Sequence, residues 1–147
     1  MIKETGNMWD IWSGTDHFIC PCSSVLKNHP EALPMGRGMA RQIKNSVPGI
    51  NIMLGRKIKR SLPIYGVVTV GKVGAMQVKE RWNDDINFGL LQISVGMLYD
   101  LADEAPSKRF DLSFPTSSDG LLPEQKPLVE RAFLLLPNNV HVWSLAR

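Results

Sequence analysis

A chain of 147 residues, 44% hydrophobic and 21% charged, has the apolar material for one domain around one core. Its net charge of +3 favours an anionic ligand but is too small to argue by itself for a nucleic-acid-binding protein. No apolar run approaches the roughly 20 residues that span a bilayer. The opening Met1-Ile2-Lys3-Glu4-Thr5 also lacks the apolar core of a signal peptide, so a cytoplasmic protein without membrane association is expected.

Residues 8–11 form a short apolar segment around Trp9. Residues 17–22 read as a central strand, with Pro21 confined to its end because it has no N–H for the ladder. Cys20 and Cys22 fall on one face of that strand. They are too few and too close for a zinc site, and no His stands at ligand spacing, so buried thiols without metal or cofactor are expected. Residues 28–34 are rich in turn formers. Residues 38–47 predict a helix: Met39, Ile43 and Val47 share a face, and Pro48-Gly49 stops it.

Residues 64–70 are continuous and β-branched, the pattern of a buried strand. Residues 71–74 turn the chain, and 75–78 pair back as a hairpin strand. Asp84 and Asp85 suit the positive end of a long helix, whose apolar face would be Leu90, Leu91, Met97, Leu98, Leu101 and Ala102, with Pro106 ending it. A strand follows at 110–114 and a polar loop at 115–120. A helix at 127–136 would point Leu128, Val129, Ala132, Phe133 and Leu136 inward, and residues 140–145 close the chain as a strand. Strands alternating with helices predict an α/β fold: a three-layer α/β/α sandwich on a mixed sheet, mostly parallel with one antiparallel hairpin.

Met35-Gly36-Arg37-Gly38-Met39-Ala40 opens the first helix after a strand and a loop. Glycines let backbone approach a ligand closely, and the first N–H groups of a helix have no intrahelical partner, so the segment suits a phosphate. Ligands of such sheets bind beyond the carboxyl ends of the strands. This loop and the loop at 115–120 both follow strands and should lie at one edge. Arg37 could face a phosphate or water, and Asp10 could contact the ligand or, as expected here, cap the segment after it.

These motifs resemble those of the macro domain, the ADP-ribose-binding family, in order and spacing over nearly the whole chain. Thr5-Gly6-Asn7-Met8-Trp9-Asp10 is similar to the first-strand motif that receives adenine, with Asn7 where an Asp is common. Phe18 to Ser24 resembles the next strand, with Ser23 or Ser24 where many hydrolytic members carry an Asn that holds the distal ribose. Met35 to Ala40 resembles the glycine-rich loop. Phe114-Pro115-Thr116-Ser117-Ser118-Asp119-Gly120-Leu121 resembles the second phosphate loop, with serines replacing two glycines. The resemblance implies adenine near Asn7 and Met8 and a distal ribose near Ser23, Ser24 and Gly38. It implies a diphosphate between Met35, Gly36, Arg37, Gly38, Met39, Ala40 and the facing Thr116, Ser117, Ser118, Asp119, Gly120 and Leu121.

One subgroup, the terminal ADP-ribose glycohydrolases, also lacks the Asn and uses a Lys and an Asp. Lys79 and Asp119 fall near those positions and would be the catalytic pair. Taken alone, Lys79-Glu80-Arg81 reads as a solvated charged cluster. The implied activity is ADP-ribose binding, with hydrolysis of ADP-ribose 1''-phosphate or removal of ADP-ribose from proteins. A non-catalytic ADP-ribose reader is the alternative. A third reading is a module for RNA or another polyanion using Arg56-Lys57-Ile58-Lys59-Arg60, a run that otherwise guards a strand or loop edge; nucleic acid is the less favoured partner but stays open. His17, His29 and His141 form no catalytic group with Ser or Cys, and Trp9 or Trp12 reads as core or as a platform for adenine.

Overall fold

The computed structural model describes residues 1–27 and 31–145. Part of the loop expected over 28–34, with His29, lies outside them. Six strands form one mixed sheet: β1 (Ile2–Thr5), β2 (His17–Cys22), β3 (Val67–Val70), β4 (Val73–Gln77), β5 (Phe110–Ser113) and β6 (Val140–Ser144). Their spatial order is β1-β6-β5-β2-β4-β3. Every neighbouring pair is parallel except β3 with β4. The helices are α1 (Gly38–Ser46), α2 (Ile50–Lys59), α3 (Phe88–Glu104) and α4 (Lys126–Phe133).

The period-2 alternation of β2 divides the core. Phe18, Cys20 and Cys22 face α1 and α2 and pack with Ile43, Leu54 and Ile58. Ile19, between them, faces α3 and α4 and packs with Leu91, Leu98, Val129 and Phe133. Leu54, Leu91 and Leu98 are fully buried, and each contributes about 2 kcal/mol of apolar burial. These two layers on a mostly parallel sheet are the α/β/α sandwich that the sequence predicts. Among the described residues no helix is long and apolar enough to cross a membrane.

Several local expectations are corrected. The polar Ile2–Thr5 segment, to which local pattern assigns no element, is an edge strand held by pairing with β6 and not by an apolar face. The basic run at 56–60 ends helix α2, where cations suit the C-terminal dipole, and Ile58 is fully buried. Lys57 Nζ donates to the Thr69 carbonyl of edge strand β3 at 2.5 Å, and Lys59 pairs with Glu31 at 2.9 Å. The strand expected over 64–70 begins only at Val67 and is an edge, with Ile64 45% exposed.

Helix α3 starts at Phe88, where Asn87 Oδ1 accepts from Leu90 N at 3.1 Å, so Asp84 and Asp85 belong to the preceding loop. Its buried face is Leu91, Ser94, Val95, Leu98 and Ala102, whereas Met97 and Leu101 are exposed. Leu128, expected inward on α4, is also exposed. Pro21 lies inside β2 and not after it; pairing with β5 ends at Ile19, so its missing N–H costs that ladder nothing. Asp10 sits within a 3₁₀ turn, Met8–Ile11, whose cap is Asn7.

Candidate functional site

Strands β2 and β5 are adjacent and parallel, so the segments that leave their carboxyl ends emerge side by side. The first leads to α1. Gly38 opens that helix at φ +57°, and a Cβ there would lie 2.9 Å from Asp119 Oδ1. The second forms a 3₁₀ turn, Ser117–Asp119. Asp119 Oδ2 accepts from Thr116 N at 2.9 Å and from Thr116 Oγ1 at 3.3 Å, which fixes the carboxylate against its own loop. Gly120 leaves the turn at φ +91°, and a Cβ there would overlap the Asp84 carbonyl. Its own carbonyl accepts from Ile86 N at 2.9 Å. The second loop is therefore fastened to the segment that follows Lys79.

Lys79 extends β4 by two residues and is buried, unlike its exposed neighbours Glu80 and Arg81. Its Nζ donates to the Asp119 main-chain carbonyl at 2.7 Å. Burial pulls the Lys79 ammonium below the usual lysine range, the Asp119 charge opposes that shift, and Arg37 adds to it. Burial pushes the Asp119 carboxyl above the usual carboxylate range, against the Thr116 hydrogen bond and the Lys79 charge. Beneath them Cys20 and Cys22 are free thiols with sulfurs 3.5 Å apart. That contact and burial raise the Cys22 thiol well above its ordinary value, so Cys22 presents an uncharged thiol.

Two cavities meet at Ser118 and Asp119, which line both. The first, about 350 Å³, reaches Lys79, Cys22, Ser23, Met35 and Gly36, and Arg37, Ala40 and Trp82 complete its wall. The second, about 590 Å³, runs past Gly38 and Met39 to Asn7 and Met8, along Thr116, Ser117 and Leu121. A third hollow of about 780 Å³ between α3 and α4 touches neither loop and holds a single charged side chain, Arg131.

The structure thus brings together most residues that the sequence singled out. Ser24 and Gly120 line neither cavity. Ser24 N and Oγ both donate to the Glu80 carbonyl, at 2.9 and 3.4 Å. Ser23 has the opposite character: its Oγ is buried without a partner among the described residues, while its carbonyl accepts from Tyr65 OH at 2.8 Å. Asn7 Oδ1 accepts from Trp9 N at 3.0 Å. Trp9 and Trp12 pack on each other and on Phe18, with centroids 4.8–5.2 Å apart, as part of the core.

Sequence reasoning missed Trp82, Lys27, Lys126 and Trp143, which also line the cavities. Trp82 had one signal, its position three residues after Lys79. Trp143 had none, since its Nε1 is placed by donating to buried Asp111 at 2.8 Å, a long-range contact.

No protein-family profile matches the chain. No curated protein is similar to it in sequence. Solved structures are. The chain has the macrodomain fold. It is similar to the macrodomain of Thermus aquaticus DarG, at 19% identity and a TM-score of 0.67 over 99% of this chain and 97% of that one. The macrodomain of Mycobacterium tuberculosis DarG matches at 17% identity and a TM-score of 0.62, over 99% of both chains. A structure of Thermosipho africanus DarTG in complex with ADP-ribose matches at 13% identity and a TM-score of 0.68. That match covers 99% of this chain and 42% of the other. At such identities the likeness defines the fold.

Proposed function

We propose that this macrodomain binds ADP-ribose across the two cavities and cleaves the bond at the anomeric carbon of its distal ribose. The observation that carries the reading is the buried Lys79–Asp119 contact at the junction of the cavities. Adenosine would occupy the second cavity near Asn7 and Met8, and the diphosphate would lie against amides of the Gly36–Gly38 and Thr116–Asp119 segments. The distal ribose would then extend toward Ser23 and Lys79. The resemblance of Thermosipho africanus DarTG, solved with ADP-ribose, supports that ligand.

The chemistry follows from the two perturbed groups. A lysine held in a buried pocket has a larger free-amine fraction at neutral pH than one in water. Lys79 Nζ attacks C1'', and the bond from C1'' to the leaving group breaks with its electron pair on the leaving oxygen. The proton on Nζ passes to Asp119, whose raised affinity for a proton suits it as carrier. Asp119 then returns that proton to Nζ, and water attacks C1'' as the C1''–Nζ bond breaks with its electron pair on nitrogen. The proton lost by the water passes to the Asp119 carboxylate and on to solvent, which restores the amine. The diphosphate, held by main-chain amides, keeps C1'' within reach of Nζ. Substrates would be ADP-ribose 1''-phosphate or ADP-ribosylated protein.

Calorimetry with ADP-ribose, ADP and AMP tests the binding half. ADP-ribose is expected to bind most tightly; equal binding of all three, or none, would remove the proposed ribose site. Incubation of ADP-ribosylated protein with the wild type tests the other half. Release of ADP-ribose identifies a hydrolase, and tight binding without release identifies a reader.

A further inference from the structure

The first cavity carries a group that the proposed reaction has not used. Arg37 lies in the glycine loop as the residue before α1, with extended backbone and no cap made by its side chain. Its guanidinium lies over the Trp82 ring, 4.8 Å from the centroid. Trp82 comes from the other wall, on the loop after Lys79, and is 52% exposed. Among the described residues Arg37 forms no salt bridge.

Charge in the cavity is unbalanced. Lys27, Arg37 and Lys79 line it against one carboxylate, Asp119. The second cavity has one cation, Lys126, against that same carboxylate. Main-chain amides suffice to hold a diphosphate at the loops, so the surplus positive charge lies on the side where the substituent of the distal ribose must sit. Arg37 is near enough to Lys79 to help depress its ammonium. A guanidinium fixed flat on indole keeps its edge N–H groups free for an anion, with less rotamer freedom to lose on binding.

On the reading of the cleft proposed above, we infer that Arg37 is the receptor for an anionic group on C1'' of the distal ribose, and that Trp82 is the positioning residue that holds Arg37 there. In the reaction this anion is the leaving group. As the C1''–O bond breaks, the electron pair and negative charge move to the departing oxygen, and Arg37 stabilises that charge without transferring a proton. The substrate class is therefore an ADP-ribose that carries a phosphate monoester at C1'', since an acyl ester there has no charge for Arg37 to receive until it has left.

The test is calorimetry at one salt concentration with three probes: ADP, ADP-ribose, and the 1''-methylenephosphonate of ADP-ribose, in which a C1''–CH2 bond that the reaction cannot break replaces C1''–O. The wild type is expected to bind the phosphonate about tenfold more tightly than ADP-ribose. Arg37→Ala should abolish that preference while changing the affinity for ADP and ADP-ribose by less than about twofold. Trp82→Ala should lose most of the preference, and Trp82→Phe should keep it, because a smaller ring still supports the guanidinium. Both side chains are exposed, so thermal melts of the variants should match the wild type. A wild type without preference, or an Arg37→Ala protein that loses all three probes equally, overturns the inference; the second result would make Arg37 a diphosphate contact. A wild type that binds none of the probes overturns the cleft reading itself and this inference with it.

Discussion

Gly38 faces Asp119 with no room for a side chain between them: a Cβ added at residue 38 would stand 2.9 Å from Oδ1 of the carboxylate. Residues from two crossovers, 81 positions apart in the chain, meet there because β2 and β5 are neighbours in the sheet. Gly38 also has a backbone that L side chains rarely adopt, at φ +57°. Gly38→Ala should therefore push Asp119 out of place, cost about 1 kcal/mol of stability and weaken ADP-ribose binding about tenfold. Thermal melts and calorimetry measure the two effects, and unchanged affinity would move the ligand away from this contact.

Lys79→Ala and Lys79→Arg should both stop release of ADP-ribose while leaving its binding within about threefold. Arginine keeps the charge but provides no nucleophilic amine. Because burial lowers the Lys79 ammonium, the wild-type rate should rise with pH along a limb that lies below the ordinary lysine range, as the free amine accumulates. A rate independent of pH across that range would remove Lys79 as the nucleophile.

Asp119 makes the pH dependence of stability opposite in sign to that of an ordinary paired carboxylate. Its carboxyl is raised in the folded state above the reference value of 3.8, so between those two values the native chain holds more proton than the unfolded one. The contribution from this group is complete below 3.8 and is lost as pH rises through the raised value. Asp119→Asn removes the charge and keeps one oxygen for the Thr116 amide. Urea midpoints for both proteins, measured from about pH 3 to about pH 7, should show the variant gaining on the wild type as pH rises. A constant difference would show that the carboxylate carries no burial penalty.

Asp111 is fully buried and held by the Arg109 guanidinium, with Nε to Oδ2 at 3.0 Å, and by Trp143 Nε1. Arg109→Met should cost about 3 kcal/mol, because it leaves a buried carboxylate with one donor. The value sits at the low end for such a cut because the Arg109 side chain is 31% exposed, so water already screens part of the pair. Denaturant unfolding measures it. Trp143 lines the second cavity, so the same variant should also weaken ADP-ribose binding.

Local pattern made the layers, the two loops and the edge at which they meet legible. The alternating faces of His17–Cys22, the glycines at 36 and 38 and the Pro48-Gly49 stop are all short-range signals. What stayed hidden depends on distant partners. The segment at 2–5 has no apolar face, and only pairing with β6 makes it a strand. The run at 56–60 looks like a basic surface because its cations mask Ile58, the anchor of a helix turn. Lys79 belongs to a charged triplet, and nothing in its neighbours shows that it turns inward to the Asp119 carbonyl. Trp82 and Arg37 lie 45 positions apart, and only the folded chain stacks them.

Asp119 and Ser118 form the ridge between the two hollows, which gives the cleft a use in inhibitor design. A small molecule lodged on either side of the ridge leaves the other side vacant, so weak fragments can be found for each half independently. Joined by a linker that crosses at Ser118, the second fragment binds at an effective concentration in the millimolar range, and the combined molecule gains about 10²-fold or more over either piece. The linker must be neutral or a hydrogen-bond donor, because the crossing passes a carboxylate.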